Sequence, residues 1–288
     1  MNRCFLCNGE KSHIIHKGVR DDPDIDVLKC EDCGLVRLSK ITTDDSYYIR
    51  SQMRKDNSEE NIKEILTVAK RDDLRRYDFI KDMIENKRYL DFGCGVGGVL
   101  RYSLSETKES YGVELEDDKR RAIEEEGIIC YRNIDDALRS LDCCVDVVSM
   151  FHVLEHLQNP IQILEKIRQL LTMDGIVIIE IPNADDALIS VYNCEAFKDF
   201  TYWSPHLYLY NNAAFCRLMK RAQYKILFLT QIQRYPLSNT LYWLSKGFPN
   251  GHKTWRMLSN EAIDKLYSEH LASLGIADTI MAVVKPVR

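Results

Sequence analysis

The sequence lacks an excess of basic residues, since 39 Lys and Arg stand against 44 Asp and Glu, for a formal net charge of −5. An extended nucleic-acid surface needs a basic face, so the composition argues against a nucleic-acid partner, although a local basic patch is not excluded. The sequence also lacks an apolar run long enough to span a bilayer, a charged-then-apolar leader after Met1, internal repeats and low-complexity segments. We therefore expect a cytoplasmic protein without a membrane span, built as one large domain or as one domain with an appendage.

Cysteine, in contrast, is abundant: the chain has ten, and disulfides are rare in the cytoplasm. Four of them form two Cys-x-x-Cys pairs near the N-terminus: Cys4, Cys7, Cys30 and Cys33. Four thiolates in two tight turns suit a tetrahedral zinc ion that is closed to substrate, with an iron–sulfur site as the alternative. Gly9 and Gly34 fit those turns. Residues 1–40 are thus predicted to form a structural zinc-ribbon module, which is too short to be stabilised by a core alone.

The other six cysteines are scattered along the chain, and we interpret them as small residues of a packed interior: Cys94, Cys130, Cys143, Cys144, Cys194 and Cys216. Residues 41–87 read as a linker and a helical segment. The linker is polar, with Tyr47 and Tyr48 as its bulky anchors, and Asn57 begins a helix-capping pattern. Apolar residues then recur at helical spacing as far as Ile84, in one long helix or two shorter ones.

From residue 88 short apolar strands alternate with helices. We predict strands at 89–92, 110–113, 128–131, 145–150 and 176–181, with helices from 99, at 117–126 and at 160–171. This succession indicates an α/β fold with a doubly wound, Rossmann-like sheet over residues 88–288. Two late strands follow at 225–233 and 279–284, and the aromatic, turn-rich insertion at 235–275 between them is interpreted as a lid.

A glycine-rich loop, Gly93-x-Gly95-x-x-Gly98, follows the first of these strands. Alone it also fits the dinucleotide fingerprint of dehydrogenases. Asp91 precedes the loop, where a carboxylate would disfavour a diphosphate but would attract an ammonium group. Glu114, at the end of the second strand, can accept hydrogen bonds from both ribose hydroxyls.

Three motifs in this order carry a family resemblance: Leu90-Asp91-Phe92-Gly93-Cys94-Gly95, Gly112-Val113-Glu114 and His152-Val153-Leu154-Glu155-His156. They resemble class I S-adenosylmethionine (SAM)-dependent methyltransferases, and in particular the group with an N-terminal zinc ribbon that is common in surface-polysaccharide and sugar-nucleotide pathways. The resemblance covers nearly the whole chain. It implies a seven-stranded sheet with an antiparallel last strand, SAM as the methyl donor and S-adenosylhomocysteine as the product.

The resemblance also implies a set of cofactor-binding residues: Asp91, Gly93, Cys94, Gly95, Gly97, Glu114, Leu115, Asn133, Ile134, Phe151 and His152. The glycines would let the backbone approach the methionine part of SAM, whose amino group would lie near Asp91. Glu114 would hold the ribose, Leu115 and Asn133 would lie at the adenine, and His152 would lie on the sulfonium side.

The acceptor is expected to be a small molecule, while the oligomeric state cannot be predicted. A hydroxyl acceptor needs a base, for which His152 and His206 are the candidates. An oxyanion acceptor would need charge partners instead, and the candidate substrate residues are Arg234, His252 and Lys253.

The function expected is O-methylation of a sugar-, nucleotide- or phosphoramidate-type metabolite in capsule or surface-polysaccharide biosynthesis. The nearest alternative is a C- or N-methyltransferase acting on an activated sugar. More distant alternatives are an RNA methyltransferase and a SAM-binding protein without turnover. The segment 152–156 also spells an inverted zinc-protease motif, but it directly follows a buried strand and no downstream partner glutamate is evident.

Overall fold

The computed structural model describes residues 3–42, 59–141 and 143–288. Its strands, in chain order, are β1 Ser12–His16, β2 Val27–Cys30, β3 Val36–Leu38, β4 Arg88–Phe92, β5 Glu109–Val113, β6 Ile129–Tyr131, β7 Val145–Phe151, β8 Leu171–Pro182, β9 Tyr208–Leu209, β10 Tyr224–Ile232 and β11 Thr279–Pro286. The helices are α1 Glu59–Ile84, α2 Gly98–Ser103, α3 Asp117–Glu124, α4 Ile134–Ser140, α5 Pro160–Leu170, α6 Ala187–Ser190, α7 Glu195–Thr201, α8 Asn212–Arg221, α9 Leu237–Lys246, α10 Gly251–Thr254 and α11 Glu261–Leu274. Short 3₁₀ turns cover Leu154–His156 and Arg256–Leu258.

The larger sheet has seven strands in the order β10-β11-β8-β7-β4-β5-β6 and is mostly parallel, with an antiparallel last strand. This confirms the α/β, Rossmann-like fold predicted from the sequence. Strand β4 pairs in parallel with β5 on one side and with β7 on the other, so that Leu90 lies opposite both Tyr111 and Val148. The chain runs outward from β4 to β6 and then returns to β7, which reverses the strand order at β4. The carboxyl end of such a strand is where α/β sheets bind ligands.

Local sequence explains several of these elements. The apolar residues of 62–84 lie in one continuous helix, α1, which resolves the choice between one helix and two. Pro160 occupies the first turn of α5, where its missing N–H costs nothing. Strand β7 is buried almost throughout, as a central parallel strand must be, and its residues are mostly apolar, with Asp146 and Ser149 as the exceptions to the predicted apolar run.

The chain divides into two compact units. The first, which we call the cysteine unit, comprises Met1–Thr42, Glu180–Arg221 and Phe228–Ala282. The second, the glycine-loop unit, comprises Thr43–Ile179, Ala222–Leu227 and Val283–Arg288.

Within the cysteine unit, a four-stranded sheet has the order β1-β2-β3-β9. Strand β9 pairs antiparallel with β3, joining Val36 to Leu209 and Arg37 to Tyr208. The N-terminal sheet therefore extends into residues far along the chain. A two-residue strand carries no periodicity that a sequence pattern could show.

The insertion at 235–275 is mostly helical, containing α9, α10 and α11, whereas the sequence indicated turns. Its glycines end or begin helices: Gly247 and Gly275 are left-handed C-caps. The predicted linker anchors Tyr47 and Tyr48 and the capping residue Asn57 lie outside the described residues. Within the described ranges, no helix is long and apolar enough to cross a membrane.

Candidate functional site

The glycine loop leaves β4 at the point where the strand order reverses. Gly93 and Gly95 both have positive φ angles, 75° and 57°. A Cβ on Gly93 would lie 2.4 Å from a methyl of Val153, so this glycine is required by packing. A Cβ on Gly95 would meet nothing within 4 Å. Gly95 therefore leaves open space in front of the backbone, which is what a bound ligand needs.

That space belongs to a cavity of about 690 Å³ in the glycine-loop unit. Of the predicted cofactor residues, seven line it: Gly93, Gly95, Glu114, Leu115, Asn133, Ile134 and His152. The remaining four are not among its lining residues: Asp91, Cys94, Gly97 and Phe151. Lining residues that the sequence did not indicate include Lys119, Arg132, Gln158 and Lys166. The volume lies within the range of small-molecule sites.

Glu114 ends β5 with a carboxylate that is tied to the glycine loop. One oxygen accepts the Gly95 N–H at 2.8 Å and the other accepts the Glu116 N–H at 2.9 Å. Burial raises the pKa of Glu114 above its usual range, against the opposing effects of Lys119 and these two N–H groups. Because carboxylate oxygens each have two lone pairs, they can still accept hydroxyl groups from a ligand.

Asp91 is buried behind the loop. Its Oδ1 accepts the Ser149 hydroxyl at 2.6 Å, and that hydroxyl lies 2.6 Å from the Tyr89 hydroxyl. Burial raises the pKa of Asp91 to about 7, although the Ser149 hydrogen bond and the Arg76 guanidinium oppose the shift. Asp91 therefore changes its charge near neutral pH. A cation at the loop would favour the ionised form of its carboxyl group.

Asn133 has a structural task that the sequence did not indicate. It caps α4, and its Oδ1 accepts the N–H groups of Asp135 and Asp136, each at 3.0 Å. Its side-chain oxygen is thus used by the helix, while the residue as a whole lines the cavity. A contact with a base edge would have to use its amide N–H₂ or its backbone.

His152 follows β7 in a left-handed backbone conformation, with φ 56°. Residues other than glycine rarely adopt this conformation, and such strain clusters at functional sites. Its Nδ1 lies 3.1 Å from Oε1 of Glu155, which is completely buried. The pair fixes the orientation of the imidazole ring at the wall of the cavity. The neighbouring Phe151 lies beneath the Arg76 guanidinium, at 5.2 Å from the ring centre.

In the cysteine unit, the four predicted metal ligands converge. All their sulfur atoms lie within 4.8 Å of one another: Cys4, Cys7, Cys30 and Cys33. The Sγ atoms of Cys4 and Cys33 are 3.7 Å apart, and those of Cys7 and Cys30 are 3.5 Å apart. Four sulfurs placed tetrahedrally at ~2.3 Å from a zinc ion would be about 3.8 Å apart. The arrangement therefore fits zinc.

Two equivalent turns produce this geometry. Asn8 N–H donates to the Cys4 carbonyl, and Gly34 N–H donates to the Cys30 carbonyl. Asn8 and Gly34 both have positive φ angles, 62° and 74°. Gly9 follows the left-handed residue of the first turn, where Asn8 takes this conformation because Asn tolerates it, and its N–H donates to the Cys7 sulfur at 3.3 Å. A Cβ on Gly9 would lie 2.0 Å from the carboxylate of the exposed Asp32, which could move away, and 3.1 Å from the Cys7 sulfur.

Burial raises the pKa of the Cys4 and Cys33 thiols above the usual value. Without a cation these two sulfurs would therefore stay protonated. A divalent ion stabilises the thiolate form, so metal binding and the convergence of the four sulfurs support each other.

Four of the residues predicted for the acceptor lie in the cysteine unit, and three of them have a close side-chain neighbour: Arg234, His252 and His206, with Lys253 as the fourth. The Arg234 Nε lies 3.8 Å from Oδ1 of the buried Asp278. His252 lies beside Asn239, with Nδ1 at 3.4 Å from Oδ1, and beside the ring of Tyr235. Lys253 is exposed. His206 packs edge-on against the Trp203 ring, with centres 5.3 Å apart.

The six scattered cysteines do not share one environment. Cys130 is buried as predicted, while Cys94, Cys144 and Cys194 are half-buried. The prediction is wrong for Cys143 and Cys216, which are exposed. Cys143 has a positive φ of 51° in the turn before β7, and Cys216 lies on the outer face of α8.

Comparisons with known proteins agree with this geometry. A curated relative, the ubiquinone biosynthesis O-methyltransferase of Actinobacillus pleuropneumoniae, is 30% identical over 117 residues, which is 35% of this chain. The chain spans about half the length (50%) of that relative.

Two solved structures show the same fold. A SAM-dependent methyltransferase from Archaeoglobus fulgidus has a TM-score of 0.51 at 19% identity, covering 84% of this chain and 100% of that one. Another from Thermotoga maritima has a TM-score of 0.55 at 14% identity, covering 84% and 99%. Residues 52–228, more than half of the chain, match the sequence profile of the methyltransferase domain family. This chain therefore belongs to the methyltransferase domain family, which confirms the SAM-dependent methyltransferase class predicted from its sequence.

Proposed function

We propose that this protein transfers the methyl group of SAM to a hydroxyl oxygen of a small sugar- or nucleotide-linked metabolite of surface-polysaccharide biosynthesis. The observation that carries the choice of oxygen is the pairing of His152 with the buried Glu155 at the wall of the cavity. A carboxylate that accepts the Nδ1 proton of an imidazole makes Nε2 the basic nitrogen. A base is what a hydroxyl acceptor requires and what an oxyanion acceptor does not.

The bound sulfonium supplies an activated methyl group. Glu114 would accept hydrogen bonds from the ribose hydroxyls and so fix the donor along the carboxyl end of β5. The ionised Asp91 would favour the ammonium group near the glycine loop. These residues bind and orient, and Gly95 leaves the room that the ligand needs.

His152 Nε2 would take the acceptor's hydroxyl proton as the new O–C bond forms and the S–C bond breaks. Loss of the methyl group with its bonding electrons left on sulfur would give S-adenosylhomocysteine as the product. Glu155 would stabilise the imidazolium, which then returns its proton to solvent. In-line alignment and exclusion of water supply the remaining rate acceleration.

Zinc forms the second part of the proposal. Cys4, Cys7, Cys30 and Cys33 would hold one Zn²⁺ as a closed structural site, because four thiolates leave no position open for substrate. The ion would thus stabilise the cysteine unit and take no part in methyl transfer.

Three considerations support oxygen and a sugar-type acceptor. The curated relative in the comparison is an O-methyltransferase. The motif set resembles methyltransferases of surface-polysaccharide and sugar-nucleotide pathways. The third is the pairing of His152 with Glu155, which provides the base that a hydroxyl acceptor requires. A C- or N-methyltransferase acting on an activated sugar stays the alternative.

The test uses SAM carrying ¹³C in its methyl group, with a panel of nucleotide sugars, sugar phosphates and catechols as acceptors. Carbon-13 NMR distinguishes a methyl group on oxygen from one on nitrogen or carbon. We expect an O-methyl signal from a sugar-type acceptor and a fall in kcat of ~100-fold or more in His152→Gln, the range typical of a general base. A methyl signal on carbon or nitrogen would reject the proposal. Full kcat in His152→Gln would remove the base and favour an oxyanion acceptor.

A further inference from the structure

A second cavity lies in the cysteine unit, beside the first cysteine turn. It has a volume of about 740 Å³ and opens broadly to solvent. Its residues come from the turn and from the outer face of α8: Leu6, Cys7, Asn8, Ala213, Cys216, Arg217, Lys220 and Arg221. We call it the α8 groove. It shares no lining residue with the cavity at the glycine loop.

The α8 groove is basic in a protein that is acidic overall. Arg217, Lys220 and Arg221 line it, and none of its described lining residues is acidic. Their spacing of three and four residues places the three side chains on one face of the helix, with neighbouring Cβ atoms about 5–6 Å apart. All three are exposed. The cavity at the glycine loop differs, because Glu114, Glu116 and Asp135 lie among its cations.

The partners of these cations leave charge available. The Arg221 guanidinium donates to the Phe5 carbonyl at 2.6 Å, which fixes its position without neutralising it. Among the described residues, neither Arg217 nor Lys220 forms an ion pair.

The helix dipole does not fully explain why three cations lie side by side in the α8 groove. Lys220 and Arg221 lie in the last turn of α8, where cations are favoured by the helix dipole. Arg217 lies one turn earlier and gains little from that effect. The dipole contributes only about half an elementary negative charge at this end, which is less than the charge of three cations.

The negative charge of a zinc-loaded metal site limits how strongly the α8 groove can attract an anion. Zinc with four thiolates carries a net charge of −2, and Cys7 belongs to both the metal site and the groove. The local balance with three cations is therefore about +1. This favours a compact anion that can contact all three cations at once over a dispersed negative surface.

From this placement we propose that the α8 groove binds a diphosphate-type group of a small phosphorylated metabolite. Two adjacent phosphoryl groups offer oxygen atoms on several sides. A guanidinium group forms bidentate hydrogen bonds with phosphoryl oxygens. The site is independent of methyl transfer, so it can be tested without an acceptor or SAM.

The probe is inorganic diphosphate, titrated calorimetrically into the zinc-loaded full chain at low salt. We expect a dissociation constant below about 1 mM, with inorganic sulfate binding at least tenfold more weakly. The variant Arg217→Gln/Lys220→Gln should raise the constant for diphosphate at least tenfold. The control Lys70→Gln/Arg121→Gln removes the same charge from exposed positions elsewhere and should change it less than twofold.

Four results would overturn the proposal. The first is no binding of diphosphate at millimolar concentration, and the second is an equal effect of the two double variants. The third is tighter binding of a short single-stranded RNA than of diphosphate by tenfold or more, which would make the groove a nucleic-acid surface. Zinc release to a chelator is measured alongside. If the groove variant loses zinc but binds diphosphate normally, the cations serve only to offset the thiolate charge and the proposal fails.

Discussion

The two candidate sites of this protein differ in how their functional groups are brought together. The metal site is built from two short turns that repeat one hydrogen-bond pattern, with a left-handed residue at the same place in each, Asn8 and Gly34. The cavity at the glycine loop is built from the ends of parallel strands: Glu114 lines it, and Asp91, 23 positions earlier in the sequence, lies buried behind the loop. A metal site can be specified by local spacing, whereas a cofactor site at a strand edge depends on the register of the whole sheet.

The contrast between the metal site and the cavity at the glycine loop is tested most strongly by removing one buried sulfur ligand, that of Cys33. In Cys33→Ser the set of four ligands becomes three thiolates and a poor ligand, and structural zinc supplies on the order of 10 kcal/mol to small metal-stabilised modules. We expect bound zinc to fall below half an equivalent and the melting temperature of the cysteine unit to fall by ~10 °C or more. Metal analysis and calorimetry measure the two effects.

The matched control is Cys143→Ser, which changes an exposed thiol in the glycine-loop unit. It should leave both zinc content and melting temperature unchanged within error. A Cys33→Ser protein that keeps one equivalent of zinc and its melting temperature would contradict the structural role of the metal site.

The same contrast explains what sequence reasoning could reach. The two Cys-x-x-Cys pairs indicated the metal cluster directly, because each pair determines its own turn. Gly95 and Glu114 followed from the strand-and-loop pattern. Three features depended on contacts that no local pattern contains: the burial of Asp91 beneath Ser149, the pairing of β3 with β9 and the Asp21–Ser204 hydrogen bonds. The α8 groove was missed for the same reason, since its two halves lie some 200 residues apart.

The second test concerns the glycine loop. Gly95 and Gly127 both have left-handed backbone conformations, with φ 57° and 80°, and open space where a Cβ would lie. Alanine at either position should therefore cost a similar ~1 kcal/mol of stability. Only Gly95 lines the cavity, so Gly95→Ala should weaken SAM binding ~30-fold, equivalent to about 2 kcal/mol, while Gly127→Ala leaves it unchanged. Calorimetric titration decides, and equal affinities in the two variants would place SAM away from Gly95.

The third test uses pH. Burial raises the pKa of Asp91 to about 7, so the carboxyl is protonated in the folded protein below that pH. An ammonium group favours the ionised form, so binding of SAM must release this proton at low pH. The dissociation constant should therefore rise ~tenfold for each pH unit below 7 and level off above it.

The variant Asp91→Asn serves as the control for that titration. It keeps the shape of the side chain but cannot ionise, so SAM should bind more weakly at pH 7.5 and the slope of log Kd against pH should be reduced by about one. If the variant and the original protein show the same slope between pH 5.5 and 7.5, the titrating group is not Asp91.

The smallest expected effect tests whether the N-terminal module holds a distant segment of its own unit. Asp21 accepts both the N–H and the hydroxyl of Ser204, at 2.8 and 2.6 Å, and Arg20 lies over the neighbouring Trp203 ring at 4.4 Å. A double-mutant cycle of Asp21→Asn and Ser204→Ala should give a coupling free energy of ~1 kcal/mol in chemical unfolding of the cysteine unit. Asp24→Asn, an exposed carboxylate in the same turn, should cost less than ~0.5 kcal/mol. A coupling energy indistinguishable from zero would mean that the Asp21–Ser204 hydrogen bonds do not help to hold the segment that carries His206, and that the β3–β9 pairing joins the module to later residues without them.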